Sequence, residues 1–142
     1  MKIAVIDGQG GGIGKHITEK IRREFPENTE LLALGTNSLA TSAMLRAGAN
    51  EGATGENAVI YNAWRVDYIV GPVSILFPNA MLGELTPKMA DAISSSPAVK
   101  VLLPLNRSKI NIVGIKNEPL PHLIEELVKR LKELTEVNRN KK

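Results

Sequence analysis

Residues 2–15 restrict the fold of this chain more than any other stretch. Lys2-Ile3-Ala4-Val5-Ile6-Asp7 is a short apolar run rich in β-branched residues. Gly8-Gln9-Gly10-Gly11-Gly12-Ile13-Gly14-Lys15 follows it directly. Residues 2–6 of it read as a buried parallel strand, and the glycines as a turn. Beyond them Ile13, Ile17 and Ile21 share one helical face, with Glu19, Lys20, Arg22 and Arg23 opposite. Strand, glycine turn and helix together form the unit with which α/β proteins cradle phosphate. The first turn of the helix offers free N–H groups and the positive end of its dipole.

The remaining chain alternates in the same way. Strands are predicted at 30–34, 67–70, 99–105 and 110–115, and Gly71-Pro72 halts the third of these five. Residues 73–77 read equally as strand or short helix. Helices are predicted over 39–47 with Ser38 as N-cap, from Thr54 or Gly55 through Ala63, and from Pro87 behind a Thr86 cap. Residues 49–55 read as a turn. The last helix carries Leu120, Leu123, Ile124, Leu127, Leu131 and Leu134 on one stripe. Short connections between alternating elements imply a mainly parallel sheet covered on both faces. The expectation is one doubly wound α/β domain over residues 1–137, followed by a disordered basic tail, 138–142.

That tail holds three of the positive charges behind the net +3, which leaves a neutral body and argues against nucleic acid as a partner. The chain has no cysteine, so disulfides, thiolate metal sites and cysteine nucleophiles are excluded. No signal sequence and no apolar run of about 20 residues is visible, which predicts a cytoplasmic protein without membrane contact.

The glycine spacing separates the phosphate motifs. G-x-G-x-x-G fails because its third glycine would be Ile13. G-x-x-x-G-x-G fits as Gly8, Gly12 and Gly14, but the Tyr-x-x-x-Lys pair of short-chain dehydrogenases is here Tyr61 and Arg65. The acid expected at the end of the second strand in a dinucleotide site is replaced by Thr36-Asn37-Ser38. Gly11-Gly12-Ile13-Gly14-Lys15 resembles the deviant Walker motif of ParA/MinD-like ATPases. The resemblance implies that Lys15 reaches phosphate. His16 stands where the Mg²⁺-binding hydroxyl belongs, so Mg²⁺ is not expected. Asp7 is read as orienting the loop through backbone N–H bonds, ahead of metal binding or catalysis. His16 is the one acid/base candidate near the loop, and His122 is placed in solvent.

Loops at the carboxyl ends of the strands should form one rim: Thr36, Asn37 and Ser38; Gly71, Pro72 and Ser74; Asn106 and Arg107. The stretch from Gly71-Pro72 through Ser74 to Pro78-Asn79 resembles the CofD/YvcK-like family, which implies binding of a phosphate-bearing substrate. Over most of its length the chain resembles a family of short bacterial proteins of unknown function. That resemblance rests on residues 6–14, on Leu34-Gly35-Thr36-Asn37, on residues 52–57 and on Gly83-Glu84-Leu85-Thr86-Pro87, and it implies a Rossmann-like fold. The Thr54-Gly55-Glu56-Asn57 run is read as helix-start chemistry before a functional loop. Tyr61, Trp64, Tyr68 and Phe77 gather into one aromatic region with Val73, Ile75, Leu76 and Met81, read as a homodimer surface ahead of the alternative that it is core. The expectation is a binder of a nucleotide or sugar nucleotide, with a small enzyme on a phosphorylated substrate or an assembly subunit as alternatives.

Overall fold

The computed structural model describes residues 1–105 and 110–140. Its elements are β1 (Lys2–Asp7), α1 (Gly12–Glu24), β2 (Glu30–Gly35), α2 (Ser38–Arg46), β3 (Glu51–Thr54) and α3 (Glu56–Ala63). They continue with β4 (Tyr68–Pro72), a 3-10 turn (Val73–Leu76), α4 (Pro87–Ser95), β5 (Val99–Leu103) and α5 (Leu120–Asn140). The five strands pair in the order β3-β2-β1-β4-β5, and every pairing is parallel.

The alternation of side chains along each strand divides the core into two layers. Ile3 and Val5 of β1 point to one face, where Ile17 and Ile21 of α1, Met44 of α2 and Ile124, Leu127 and Leu131 of α5 cover them. Ala4 and Ile6 point to the other, beneath Val59 and Ala63 of α3 and Met89 and Ile93 of α4. The apolar stripe read from the last helix is thus what holds α5 to the sheet. A three-cornered ion pair reinforces it: Glu24 of α1 lies 2.8 Å from Lys132 and 2.7 Å from Lys20. Those two ammonium groups hold the Glu24 carboxyl down to about 2.

The structure departs from the sequence reading at several places. Residues 49–55 are not all turn, since Glu51–Thr54 pairs with β2 as the strand β3. Its side chains carry no strand pattern, but the free backbone edge of β2 needs none. Gly52 belongs there because a Cβ would stand 2.8 Å from Thr41 Cγ2. Gly71 and Pro72 do not halt β4 but are its last two residues, paired with Leu102 and Leu103. The open choice at 73–77 resolves to a 3-10 turn.

Ser38 does not cap α2; Asn37 does, its Oδ1 accepting the Ala40 N–H at 2.9 Å. An amide reaches that N–H as well as a hydroxyl does. Residues 110–115 form no strand: Gly114 has φ 91° in a turn, and Ile112, Val113 and Ile115 are exposed. Their alternation needs a neighbouring strand edge, and the five-stranded sheet of the described residues does not include them. Helix α5 continues through Asn140, past residue 138 where the sequence predicts a tail.

The aromatic region also divides. Tyr68 is buried beside Ile3 and Val5, whereas Tyr61 and Trp64 are more than half exposed at the end of α3. Among the described residues no helix is long and apolar enough to cross a membrane.

Candidate functional site

The strand order reverses at β1, whose chain continues to β2 on one side while β4 pairs on the other. A crevice outside the carboxyl ends of the strands is expected at such a point. The turn after β1 occupies it. The Gly11 N–H closes on the Gly8 carbonyl at 2.9 Å, and Gln9 and Gly11 take left-handed φ values of 50° and 74°. Gly11 starts α1 without any side-chain cap.

The glycines of this turn serve two purposes. A Cβ on Gly8 would lie 2.3 Å from Thr36 Oγ1, and one on Gly11 would lie 2.7 Å from Ala40 Cα. A Cβ on Gly14 would stand 2.9 Å from Asp7 Cβ. These three residues admit close packing. Gly10 and Gly12 have no atom within 4 Å of a Cβ position, so packing does not explain them. Both are exposed. Among the described residues no acceptor meets the N–H groups of Gly10, Gly12 or Ile13. Lys15 is exposed one turn further on.

Asp7 is buried beneath the turn. Its Oδ1 accepts the Gly8 N–H at 2.8 Å and its Oδ2 the Gly14 N–H at 2.7 Å. One carboxylate therefore fastens both ends of the loop, the role expected of it from the sequence. Burial pushes its carboxyl above the usual carboxylate range, while the two N–H bonds work against that rise. The nearby Glu84 charge adds to the rise.

Glu84 is the residue that sequence reasoning missed as part of this site. It arrives on residues 77–86, a turn that folds back from β4 over the end of β1. Asn79, Met81 and Leu82 all take left-handed φ values, 66°, 59° and 56°. The turn is held by its own backbone: Asn79 N–H to Leu85 O at 2.8 Å, Gly83 N–H to Asn79 O at 3.1 Å and Glu84 N–H to Met81 O at 3.1 Å. From there Glu84 Oε1 accepts the Gln9 N–H at 2.8 Å, the Thr36 hydroxyl at 2.7 Å and the Asn37 amide at 2.8 Å. These donors, the Gln9 N–H foremost, lower its carboxyl below the usual range. The sequence marked this residue only as part of the Gly83-Glu84-Leu85-Thr86-Pro87 run of the family resemblance, which says nothing of where a carboxylate lands.

The other expected site residues are distributed unevenly. Thr36 and Asn37 meet the loop, and Asn37 Nδ2 also donates to the Gln9 carbonyl at 2.9 Å. Ser38 is exposed beside them. Gly71 and Pro72 are buried within the sheet, where a Cβ on Gly71 would stand 2.4 Å from the Ile6 carbonyl oxygen. Ser74 is half-buried in the 3-10 turn, and Asn79 is exposed in the turn that carries Glu84. Asn106 and Arg107 lie outside the described residues. His16 is 3.6 Å from Glu19 and lines a groove of about 250 Å³ with Leu120, Pro121 and Ile124 of α5. A larger groove, about 380 Å³, lies between β5 and α5. Gly55, φ 99°, stands at the N-cap of α3 without any side-chain cap, so only this glycine serves the helix start; Thr54 Oγ1 instead lies 2.8 Å from Thr41 Oγ1 of α2 and ties the end of β3 to that helix. Among the described residues no three His, Asp or Glu side chains converge as a metal site would require.

Comparison with known proteins adds little chemistry. No curated protein matches the chain. A solved structure of a dodecameric FMN-dependent UbiX-like decarboxylase from Escherichia coli O157:H7 is similar over 95% of this chain and 94% of its own, with 11% identity and a TM-score of 0.45. A family model described as Domain of unknown function (DUF3842) matches residues 2–136, and the chain belongs to that family.

Proposed function

We propose that this protein binds a nucleotide or sugar nucleotide whose phosphate rests on the turn at residues 8–15. The observation that carries the reading is the set of unbonded N–H groups on Gly10, Gly12 and Ile13. They stand at the start of the 13-residue helix α1, beside two glycines that packing does not require. Backbone donors and the helix dipole favour an anion there. Lys15 supplies the one cation of the turn. Asp7, Gly8, Gly11 and Gly14 keep the turn in shape, while Thr36, Asn37 and Ser38 border it from β2. Ser74 and Asn79 follow β4, whose carboxyl end, Gly71 and Pro72, lies on the same side of the parallel sheet as the turn. No observation favours turnover: Asp7 is engaged by two loop N–H groups, and His16 faces α5.

Calorimetry and thermal shift with pyrophosphate, ADP, UDP and UDP-glucose, each with and without Mg²⁺, test the reading. At a ligand concentration about 100 times Kd, binding adds about 2.7 kcal/mol to stability. Lys15→Ala should weaken every phosphate ligand alike. Absence of binding by all four ligands overturns the proposal.

A homo-oligomer is proposed alongside it. Tyr61 and Trp64 are 55% and 53% exposed, and the Arg65 guanidinium lies 3.8 Å from the Tyr61 ring centre. Aromatic and arginine side chains of this kind are enriched at interfaces. Light scattering should report a multiple of the chain mass that Trp64→Glu lowers; a monomer at all concentrations refutes it.

A further inference from the structure

Glu84 raises a question that phosphate binding alone does not answer. An ionised carboxylate within hydrogen-bond distance of the Gln9 N–H repels a phosphate from that end of the turn. The anion is thereby confined to the α1 end, where Gly10, Gly12, Ile13 and Lys15 lie. The β2 end is left for a part of the ligand that donates hydrogen bonds.

Glu84 is built for such a donor. All three of its hydrogen bonds end on Oε1, from Gln9, Thr36 and Asn37. Among the described residues Oε2 receives none. One oxygen thus fixes the position of the group, and the other remains an acceptor on a partly exposed side chain beside the turn. Two large apolar side chains flank the same network. Leu39, two residues beyond Asn37, is 61% exposed, and Leu82, two residues before Glu84, is 96% exposed. Leu82 stands there despite a left-handed φ of 56°, a conformation unfavourable for a branched side chain.

Resting on the reading of the turn as a phosphate site, we infer that Glu84 is a specificity-determining residue for ribose. Its Oε2 accepts the 2′- and 3′-hydroxyls of a ribonucleoside phosphate, whose base lies toward Leu39 and Leu82. The ligand runs from phosphate at α1 to sugar at the end of β2. The acid absent from the end of β2 is supplied by the turn after β4. Such a site accepts a free 2′-hydroxyl and rejects a 2′-phosphate, which would bring like charge onto Glu84.

Calorimetry on the full chain separates this inference from the phosphate reading. The probes are pyrophosphate, ADP, 2′-deoxy-ADP and adenosine 2′,5′-bisphosphate, with UDP and 2′-deoxy-UDP as the pyrimidine pair. A hydrogen bond to a charged acceptor is worth about tenfold or more in affinity, so each deoxy form should bind at least that much more weakly than its ribose form. The 2′-phosphorylated probe should bind more weakly than ADP. Glu84→Gln should shrink the ribose preference and raise pyrophosphate affinity, since the charge that repels phosphate is removed. Equal binding of ribose and deoxyribose forms, with pyrophosphate bound, overturns the role of Glu84 and leaves the phosphate reading intact. If neither pyrophosphate nor any nucleotide binds, both fail together. The ribose and deoxyribose comparison uses the unaltered chain, so it stands even if Glu84→Gln does not fold.

Discussion

The two turns that meet above β1 solve the same geometric problem with different residues. Both must reverse the chain tightly enough to need left-handed backbone. The turn after β1 spends glycines on this, with Gly11 at φ 74° and only Gln9 as an exception. The turn after β4 holds Asn79, Met81 and Leu82 in the same region of φ, with only Gly83 at 90° to ease it. Left-handed backbone costs an ordinary residue about 1–2 kcal/mol. Such cost persists where the surrounding structure over-determines it, which tends to be at functional positions. The first turn is shaped by what its residues lack. The second is shaped by the contacts it must reach, and those contacts put Glu84 on the loop.

The carboxylates of the two turns differ in the same manner. Asp7 is buried and its affinity for protons is raised; Glu84 lies at the edge and its affinity is lowered. Their contributions to stability against pH are therefore opposite in sign. The folded chain binds the Asp7 proton more tightly than the unfolded chain does, so this residue subtracts stability as pH climbs above about 3.8 through its folded value. Glu84 contributes stability that is present above about 4.5 and is lost as pH falls through its lower folded value.

The largest expected effect that sharpens this comparison is at the sheet itself. Gly71→Ala places a Cβ 2.4 Å from a β1 backbone oxygen, and backbone cannot step aside as a side chain can. A loss of about 3 kcal/mol or more in urea denaturation is expected, against a small gain for Gly12→Ala. Next, Asp7→Asn leaves one of the Gly8 and Gly14 N–H groups facing an amide donor, at about 1–3 kcal/mol. The same substitution should abolish the fall in stability with rising pH assigned to Asp7. Denaturation midpoints between pH 3 and 7 would show it, with Glu84→Gln removing a slope of the other sign.

Leu82→Gly comes third. The side chain is 96% exposed, so little packing is lost and left-handed strain is relieved; stability should rise by up to about 1 kcal/mol. A loss instead would mean that Leu82 packs in the folded molecule, and the contrast between the turns would fail. The smallest effect is Gly12→Ala, which meets open space within a helix and should add about 0.5–1 kcal/mol. If it also abolishes pyrophosphate binding, the openness of Gly12 serves the ligand.

Legibility in the sequence follows how local the cause of each feature is. The first strand, the glycine turn and α1 were readable because apolar periodicity and glycine act within a few residues. The Thr86-Pro87 start of α4 was readable for the same reason, and Thr86 Oγ1 does accept the Met89 N–H at 3.2 Å. Asp7 was assigned its loop-orienting role because its partners, Gly8 and Gly14, lie on the same turn. β3 was not readable, since Glu51-Gly52-Ala53-Thr54 becomes a strand only by lying beside β2. The reverse error at 110–115 has the same origin, a strand pattern that the sheet of the described residues does not take in.

The sequence alone thus determined the parallel α/β architecture, the two-layer core and the turn at which a phosphate is proposed to rest. These follow from side-chain periodicity and from the backbone freedom of glycine, both set by near neighbours. Tertiary structure alone decided that Glu84 crosses to the end of β2, 75 residues from the Gln9 N–H it meets. It also decided that Asn37 rather than Ser38 caps α2, and that Gly71 serves packing within the sheet. Each depends on which backbone donors and oxygens the sheet brings side by side, and no spacing along the chain encodes that distance.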